Sequence, residues 1–259
     1  MTIFWAILIF AVGYLVNVFY ITVAYHRALT HNSVVLKPWL MRFIGRSGIW
    51  VTGIDPKAWA CMHRMHHSYS DTERDPHSPV TLGVFGVALG QLRSYEKTLR
   101  RLIKRDPTYL AVVDDIAFDV SPLNRKRLWT LPYLLHVSIG VTLGLAFQSW
   151  WVGYAYFAGI MSHPIQGWMV NSLAHKYGYR NFSTTDNSKN NWIVSLLVFG
   201  EGYQNNHHAR PSSANFAATR SEIDTGYWLC RLASFVGLLT IPHEPAGERG
   251  AFPVQSEAV

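Results

Sequence analysis

The stretch Gly200-Glu201-Gly202-Tyr203-Gln204-Asn205-Asn206-His207-His208 ends in two adjacent imidazoles, with an amide side chain three residues before the first. On a helix, Gln204, His207 and His208 occupy positions i, i+3 and i+4, which share one face. Three neutral donors would then converge on one point, an arrangement suited to a metal ion. His63-Arg64-Met65-His66-His67 repeats the spacing, and His26-Arg27-Ala28-Leu29-Thr30-His31 is a looser relative of it. With His175, eight of the twelve histidines flank helix ends in this way. A lone histidine on an apolar face is usually a packing residue, but three clusters are not explained that way. Eight imidazoles exceed the four ligands of a tetrahedral zinc and suit two metals. Imidazole serves zinc, copper, iron and nickel alike, so donor softness does not choose among them. A His-Glu-x-x-His zinc site, a Ser/His/Asp triad and the Glu-x-x-His pairs of soluble helical bundles are all missing from the sequence.

These donors need elements to carry them. Hydrophobic residues make up 49% of the 259 positions and charged residues 15%, below the roughly 25% charge of soluble domains. Ten Trp and thirteen Tyr favour membrane interfaces, where one end of a ring is dry and the other wet. The only cysteines, Cys61 and Cys230, form no CxxC, which excludes a disulfide scaffold, a cysteine zinc knuckle and a cysteine-ligated cluster. A net charge of +7 suits nucleic acid or a membrane surface. Its distribution favours the membrane, and no nucleic-acid partner is expected.

Met1 to Tyr25 carries no Lys, Arg, Asp or Glu and as a helix would run about 37 Å, enough to cross a bilayer. It lacks the basic start and small-residue cleavage site of a signal peptide. In Leu36 to Met62, the residues Leu36, Trp39, Leu40, Phe43 and Ile44 keep helical spacing, with Arg42 and Arg46 on another side. This is expected to be an amphipathic interfacial helix, closed by a turn at Gly53-Ile54-Asp55-Pro56. Pro79 to Leu92 is apolar but too short to span, so it is expected to be re-entrant or interfacial. Arg93 to Arg127 holds nine Lys and Arg and is expected on the cytoplasmic side. Leu128 to His175 is free of charged residues over 48 positions, about 72 Å of helix, and reads as a hairpin turning at Gln148 to Trp151. Ile223 to Ile241 carries Asp224 and Arg231 and reads as a further interfacial helix. Residues 242–259 read as a disordered tail.

The expected fold is therefore an all-α integral membrane protein with a single domain over 1–241. About three spans (2–25, 128–147 and 151–172) join interfacial helices beneath a His-rich cap. One span ends at His26 and the hairpin leaves and returns to one side. All eight clustered histidines then lie on the basic, cytoplasmic side. His136 and His163, inside the hairpin, are expected to make packing or helix–helix hydrogen bonds.

In these blocks the chain resembles the membrane fatty acid desaturases, near their delta-9 acyl branch. His26 to His31 is similar to the family's HxxxxH, His63 to His67 to its HxxHH, and Asn171-Ser172-Leu173-Ala174-His175 to its NSxAH. Gly200 to His208 is similar to its GEGxHNxHH, and Ser70-Asp71…Asp75-Pro76-His77 also matches the pattern. The resemblance covers about residues 8 to 240. It implies a di-iron site held by His26, His31, His63, His66, His67, His175, His207 and His208, with Asn171 acting through a water. It also implies that His77 is not a ligand and that, with Asp75, it orients ligands. Two departures stand out. Gln204 sits where this branch usually has histidine, and its carbonyl oxygen is a suitable iron donor, as in the family's front-end branch. Relatives also usually place a span before the helix that delivers the first box. Here the chain begins within that helix, which implies three spans with an outside N-terminus or a misassigned start.

The implied activity is oxygen-dependent desaturation of a fatty acyl chain, with dioxygen as co-substrate and the two irons as cofactors. No cytochrome, flavin or nicotinamide motif is present, so two electrons must come from an external donor, a ferredoxin or a b-type cytochrome with its reductase. The basic face would steer an acidic donor or bind anionic membrane lipids. Hydroxylation on the same ligand set is the alternative within the enzyme class. A non-enzymatic metal carrier is the alternative outside it, and would place histidines near the bilayer midplane. Cys61-Met62 stands where acyl-CoA relatives often have an acidic–basic pair, which leaves acyl-CoA, acyl carrier protein and membrane lipid as possible acyl carriers.

Overall fold

A computed structural model describes residues 1–75 and 77–242. Beyond Pro242, the tail expected to be disordered, His243 included, lies outside the described residues. The described chain is mostly helical. Helix α1 (Thr2–Val18) continues without a break into a π-helical segment (Phe19–Thr30). Together they form the one helix among the described residues long and apolar enough to cross a membrane, Thr2–Thr30.

Pro38 at the first turn and Gly53 at φ 75° bound α2 (Pro38–Thr52). Its apolar stripe divides in two: Leu40 and Ile44 are buried, while Trp39 and Phe43 are each 54% exposed. The helix closes at the turn expected at Gly53-Ile54-Asp55-Pro56, and a new helix, α3 (Pro56–Tyr69), starts after the Asp55 cap. Asp55 accepts from the backbone N–H of Lys57 and Ala58 with Oδ1 and from Ser121 N–H with Oδ2. One buried carboxylate thus caps the helix that carries three histidines and ties it to a distant loop.

The apolar run Pro79 to Leu92 is not a separate short element. It forms the first half of α4 (Pro79–Ile103), kinked at Gly83, and the helix runs on into the basic segment. Two short helices follow, α5 (Pro107–Val112) and α6 (Pro122–Arg125).

The hairpin forms with one correction. Helix α7 (Leu131–Ala146) turns at Phe147 to Ser149 into α8 (Trp150–Ile160). The second limb, expected continuous over 151–172, breaks at Met161–Ser162 before α9 (His163–Trp168), a π-helical turn (Met169–Leu173) and α10 (Ala174–Lys176). Pro164 has no N–H and disfavours helical geometry just before it. The break is covered from α1: Asn17 Nδ2 donates to Ile160 O at 2.8 Å and to His163 Nδ1 at 3.2 Å. His136 links elements as expected, donating from Nε2 to Trp50 O (2.8 Å) and accepting at Nδ1 from the Tyr156 hydroxyl (2.7 Å).

Helices α1, α8 and α7 pack side by side through glycines. A Cβ on Gly159 would lie 2.5 Å from Phe10 O of α1, and one on Gly153 would lie 2.2 Å from Gly140 O of α7. Such contacts let backbones approach closely where no water drives association. Gly159→Val is therefore expected to cost about 1–3 kcal/mol by prying α1 from α8. The measurement is thermal unfolding in detergent; an unchanged midpoint would deny the close approach.

Three short helices complete the described chain: α11 (Trp192–Leu197), α12 (Gln204–Ala209) and α13 (Thr225–Phe235). The helix expected to run to Ile241 ends at Phe235. Leu239–Thr240 (β2) then pairs antiparallel with Val35–Leu36 (β1), so the fold is not purely α-helical.

Candidate metal centre

The first histidine pair explains the long π-helix. In an α-helix, residues five apart are rotated about 140° from one another, so His26 and His31 would point different ways. A π-turn closes i to i+5, and His31 N–H donates to His26 O at 3.2 Å. The rings then stand edge to face, 4.9 Å between centroids. His63, His66 and His67 lie on α3, and Gln204, His207 and His208 lie on α12 as the spacing predicts. His175 comes from α10.

The eight histidines gather into two groups. The ligand atoms of His26, His31, His63, His67 and His207 lie within 4.8 Å of one another, as do those of His66, His175 and His208. In the first group the Nε2 atoms of His26 and His207 are 2.9 Å apart, those of His207 and His67 3.0 Å, and those of His67 and His63 3.1 Å. Two nitrogens at right angles on an ion ~2.1 Å away lie ~3.0 Å apart, against ~3.4 Å for tetrahedral ligands. The close spacings fit a centre with more than four ligands.

In the second group the Nε2 atoms of His66, His175 and His208 are buried and without hydrogen-bond partners. Their other nitrogens are occupied. His66 Nδ1 donates to Asp75 at 3.0 Å, His175 Nδ1 to Asp71 at 3.1 Å, and His208 Nδ1 to Asp186 at 2.7 Å. His26 of the first group likewise donates from Nδ1 to Glu201 at 2.6 Å. A carboxylate on one nitrogen fixes the tautomer and leaves the opposite lone pair for a metal. Asp75 was expected in this role; Asp71, Asp186 and Glu201 were not assigned one. Asp71 and Glu201 lie inside the motif blocks. Asp186 stands in the polar loop before α11 and carried no sequence signal.

The electrostatics agree. Burial, reinforced by neighbouring imidazoles, holds His63, His67 and His207 well below the usual imidazole range. Burial takes His208 down to about 4 against the pull of Asp186. Burial alone would raise the Asp186 carboxyl, but its hydrogen bond from His208 prevails and holds it below the usual range. At neutral pH the site presents neutral nitrogens backed by carboxylates, a donor set compatible with bound metal. Asp186→Asn keeps an acceptor but removes the charge behind His208. It is expected to weaken metal retention roughly 10- to 100-fold, read by competition with a chelator. Unaltered retention would remove Asp186 from this role.

Gln204 is 1% exposed. Its Nε2 donates to Glu201 O at 2.8 Å, which fixes the amide orientation, and its Oε1 is buried with no hydrogen-bond partner. His77 is fully buried, its ring stacked on His66 at 4.8 Å, and its Nε2 is also without a partner. It falls in a group with His66 and Asp75, separate from His175 and His208. Asn205 and Asn206 clamp the preceding loop. Asn205 accepts from Asn181 N–H and Phe182 N–H, and Asn206 accepts from the Asn190 side chain.

Arg27, one residue past His26, is fully buried. It donates to Glu201 at 2.7 Å and to Asp224 at 3.0 Å, and its guanidinium stacks 3.9 Å from the centre of the Phe216 ring. That ring in turn packs against His207 at 4.5 Å. The first and last histidine blocks are thereby tied through one cation.

A cavity adjoins the centre. His26, His63, His77, Asn171 and Gln204 line it on the polar side, and Ile21, Ile54, Trp59, Met62, Val170 and Val198 on the apolar side.

Comparison with known proteins bears on this geometry. Residues 3–218 match the profile of the family described as fatty acid desaturase. The chain is 33% identical over 244 residues to Delta-9 acyl-lipid desaturase 1 of Arabidopsis thaliana, covering 89% of this chain and 74% of the relative. It is 32% identical over 236 residues to Acyl-CoA C20 Delta5-desaturase of Anemone leveillei, covering 89% and 71%. It is 34% identical over 226 residues to sn-1 stearoyl-lipid 9-desaturase of Anabaena variabilis, covering 85% and 77%.

Proposed function

Since this chain belongs to the fatty acid desaturase family, we propose that it places a cis double bond in a saturated acyl chain at the metal centre described above. It is an oxygen-dependent oxidoreductase acting on fatty acyl groups and is associated with membrane. The reaction removes one hydrogen from each of two adjacent methylenes. With dioxygen, two electrons and two protons, it yields the alkene and two waters. Hydroxylation on the same ligand set is not favoured, because the matching family and relatives carry desaturase names.

The observation that carries the reading is the cavity, where carbon-lined walls meet His26, His63 and the buried, unpartnered Oε1 of Gln204. We assign one iron to His26, His31, His63, His67 and His207, and the other to His66, His175 and His208. Gln204 Oε1 completes the second set, and Asn171 joins it through a water. Bound iron supplies the activation of dioxygen, which no side chain can perform. The protein's own part is positional. Trp59, Met62 and Val170 hold a methylene pair beside the donors and keep water out. The four carboxylates hold the imidazoles in one tautomer.

The remaining features follow from the same reading. One domain over 1–241 crosses the membrane at about 2–25, 128–147 and, through a limb interrupted at Met161–Ser162, 151–172, with the histidines on the cytoplasmic side. Electrons arrive from a ferredoxin or a b-type cytochrome with its reductase. The exposed cations of α4 face that side, where donor or anionic lipid meets the protein.

The test is expression in a host of defined fatty-acid composition, with chromatography of its lipids. New monounsaturated chains that vanish in a His207→Ala/His208→Ala variant are expected. Hydroxylated chains instead would overturn the reading.

A further inference from the structure

The cavity carries polar atoms that removal of hydrogen from a plain hydrocarbon chain does not use. Thr22 of the π-helical segment and Gln166 of α9 both line it and are 0% and 2% exposed. Thr22 Oγ1 is buried without a hydrogen-bond partner, and so is Gln166 Oε1. A threonine inside a helix ordinarily turns its hydroxyl back to a carbonyl one turn earlier. Thr22 does not, and only its backbone carbonyl is engaged, by Arg27 Nη1 at 3.3 Å. The Gln166 amide is held by its other end. Its Nε2 donates to Ser162 Oγ at 2.7 Å and to Asn17 Oδ1 at 3.3 Å. That pins Oε1 as an acceptor with nothing to accept from.

His163 adds a donor. Its Nδ1 accepts from Asn17 Nδ2 at 3.2 Å, so its hydrogen sits on Nε2, and the residue lines the same cavity. The same contact from Asn17 shows that α9 faces the first helix here. The wall thus combines a fixed acceptor, a fixed donor and a hydroxyl able to act as either. An orphaned acceptor beside donors is matched by a group that both donates and accepts, and an alcohol is the simplest one. A ketone, epoxide or ester carbonyl only accepts and would leave Gln166 Oε1 unmatched. A bare methylene would leave both Oε1 and the Thr22 hydroxyl unmatched, at a cost for each. The patch is near the metal centre. Thr22 precedes His26 by four residues and Gln166 precedes Asn171 by five, roughly 6–8 Å along either helix. An alcohol held there lies a few carbons from methylenes placed beside the histidines.

Building on the desaturase reading, we propose that the preferred acyl chain carries a hydroxyl group, held between Thr22, His163 and Gln166 while the double bond forms. The held hydroxyl fixes which methylene pair faces the metals and is itself unchanged. The chain loses two hydrogens as described above and keeps its oxygen. The test is competition against tritiated methyl stearate on the purified, iron-loaded protein in detergent. The competitors are methyl hydroxystearates with the hydroxyl at successive mid-chain carbons. One positional isomer is expected to bind about tenfold or more tightly than methyl stearate, and its neighbours less well. Thr22→Val keeps the side-chain shape and is expected to cut that preference about tenfold, with iron content unchanged. Given chemically reduced ferredoxin and oxygen, the preferred isomer is expected to yield a product lighter by two hydrogens with its hydroxyl retained. Binding of every isomer no tighter than methyl stearate would overturn the hydroxyl site. A preference that survives intact in Thr22→Val would overturn it too. Either result leaves the desaturase reading standing, because unsaturation of stearate itself is read separately in the turnover assay. Absence of unsaturation from every chain, with both irons bound, would overturn that reading and with it the proposed substrate.

Discussion

Arg27→Met is expected to destabilise the protein by about 3–5 kcal/mol and to empty the metal centre. The side chain is fully buried, and its guanidinium is bonded to the carboxylates of Glu201 and Asp224. Methionine fills similar volume but leaves two buried carboxylates without a cation, the costly half of a broken ion pair. Glu201 also holds His26 Nδ1, and Asp224 also accepts from Phe216 N–H and caps α13 through Tyr227 N–H. Loss of the cation therefore loosens His26, the ring packed on His207 and a helix start together. Thermal unfolding in detergent and iron content per chain measure the effect. Arg27→Met/Asp224→Asn removes one of the two stranded charges and is expected to recover part of the loss. A double variant no more stable than the single one would show that charge is not the cause.

Gln204 carries the second large expectation. If its buried Oε1 completes the centre of His66, His175 and His208, Gln204→His retains both irons and activity. Gln204→Ala then loses one iron and falls to background turnover. A helix supplies the same direction for either donor, because position 204 shares its face with His207 and His208. Metal analysis separates the outcomes before any assay of turnover. Gln204→Ala holding both irons at full activity would remove Gln204 from the ligand set, and the centre would rest on eight histidines.

Much of the site was legible because α-helical spacing is a reliable ruler. The spacing placed His63, His66 and His67 on one helix and Gln204, His207 and His208 on another, but each triplet divides instead of converging on one point: His63, His67 and His207 join one group, His66 and His208 the other. The pair His26 and His31 was different. Its spacing does not share an α-helical face, and only the family resemblance connected the two residues. No glycine or proline marks Phe19 to Thr30 as π-helical; the distortion is maintained by packing around it. The carboxylates divide in the same way. Asp75 was assigned through the family resemblance, whereas Asp186 acts on His208 from 22 residues away through a folded loop. In the fold, the length of the apolar runs located the helices but concealed the break at Ser162. There Pro164 was the available signal, and Asn17 from another helix supplies the compensation. The pairing of β1 with β2 involves two residues on each side, too short for alternation to declare itself.

The π-helical first box also has a consequence for how such a site can change. An i to i+5 turn holds one residue more than the α-turn it replaces, so what aligns His26 with His31 is the number of residues between fixed points. Substitutions can be absorbed there if the packing survives. A deletion of one residue in the part of the segment before His26 would let it relax to ordinary α-helix and turn the two imidazoles about 140° apart, even with every donor retained. Homologous exchange or design on this scaffold must conserve length along that turn as strictly as it conserves histidine, and a straight helix grafted in its place would carry the motif without the centre.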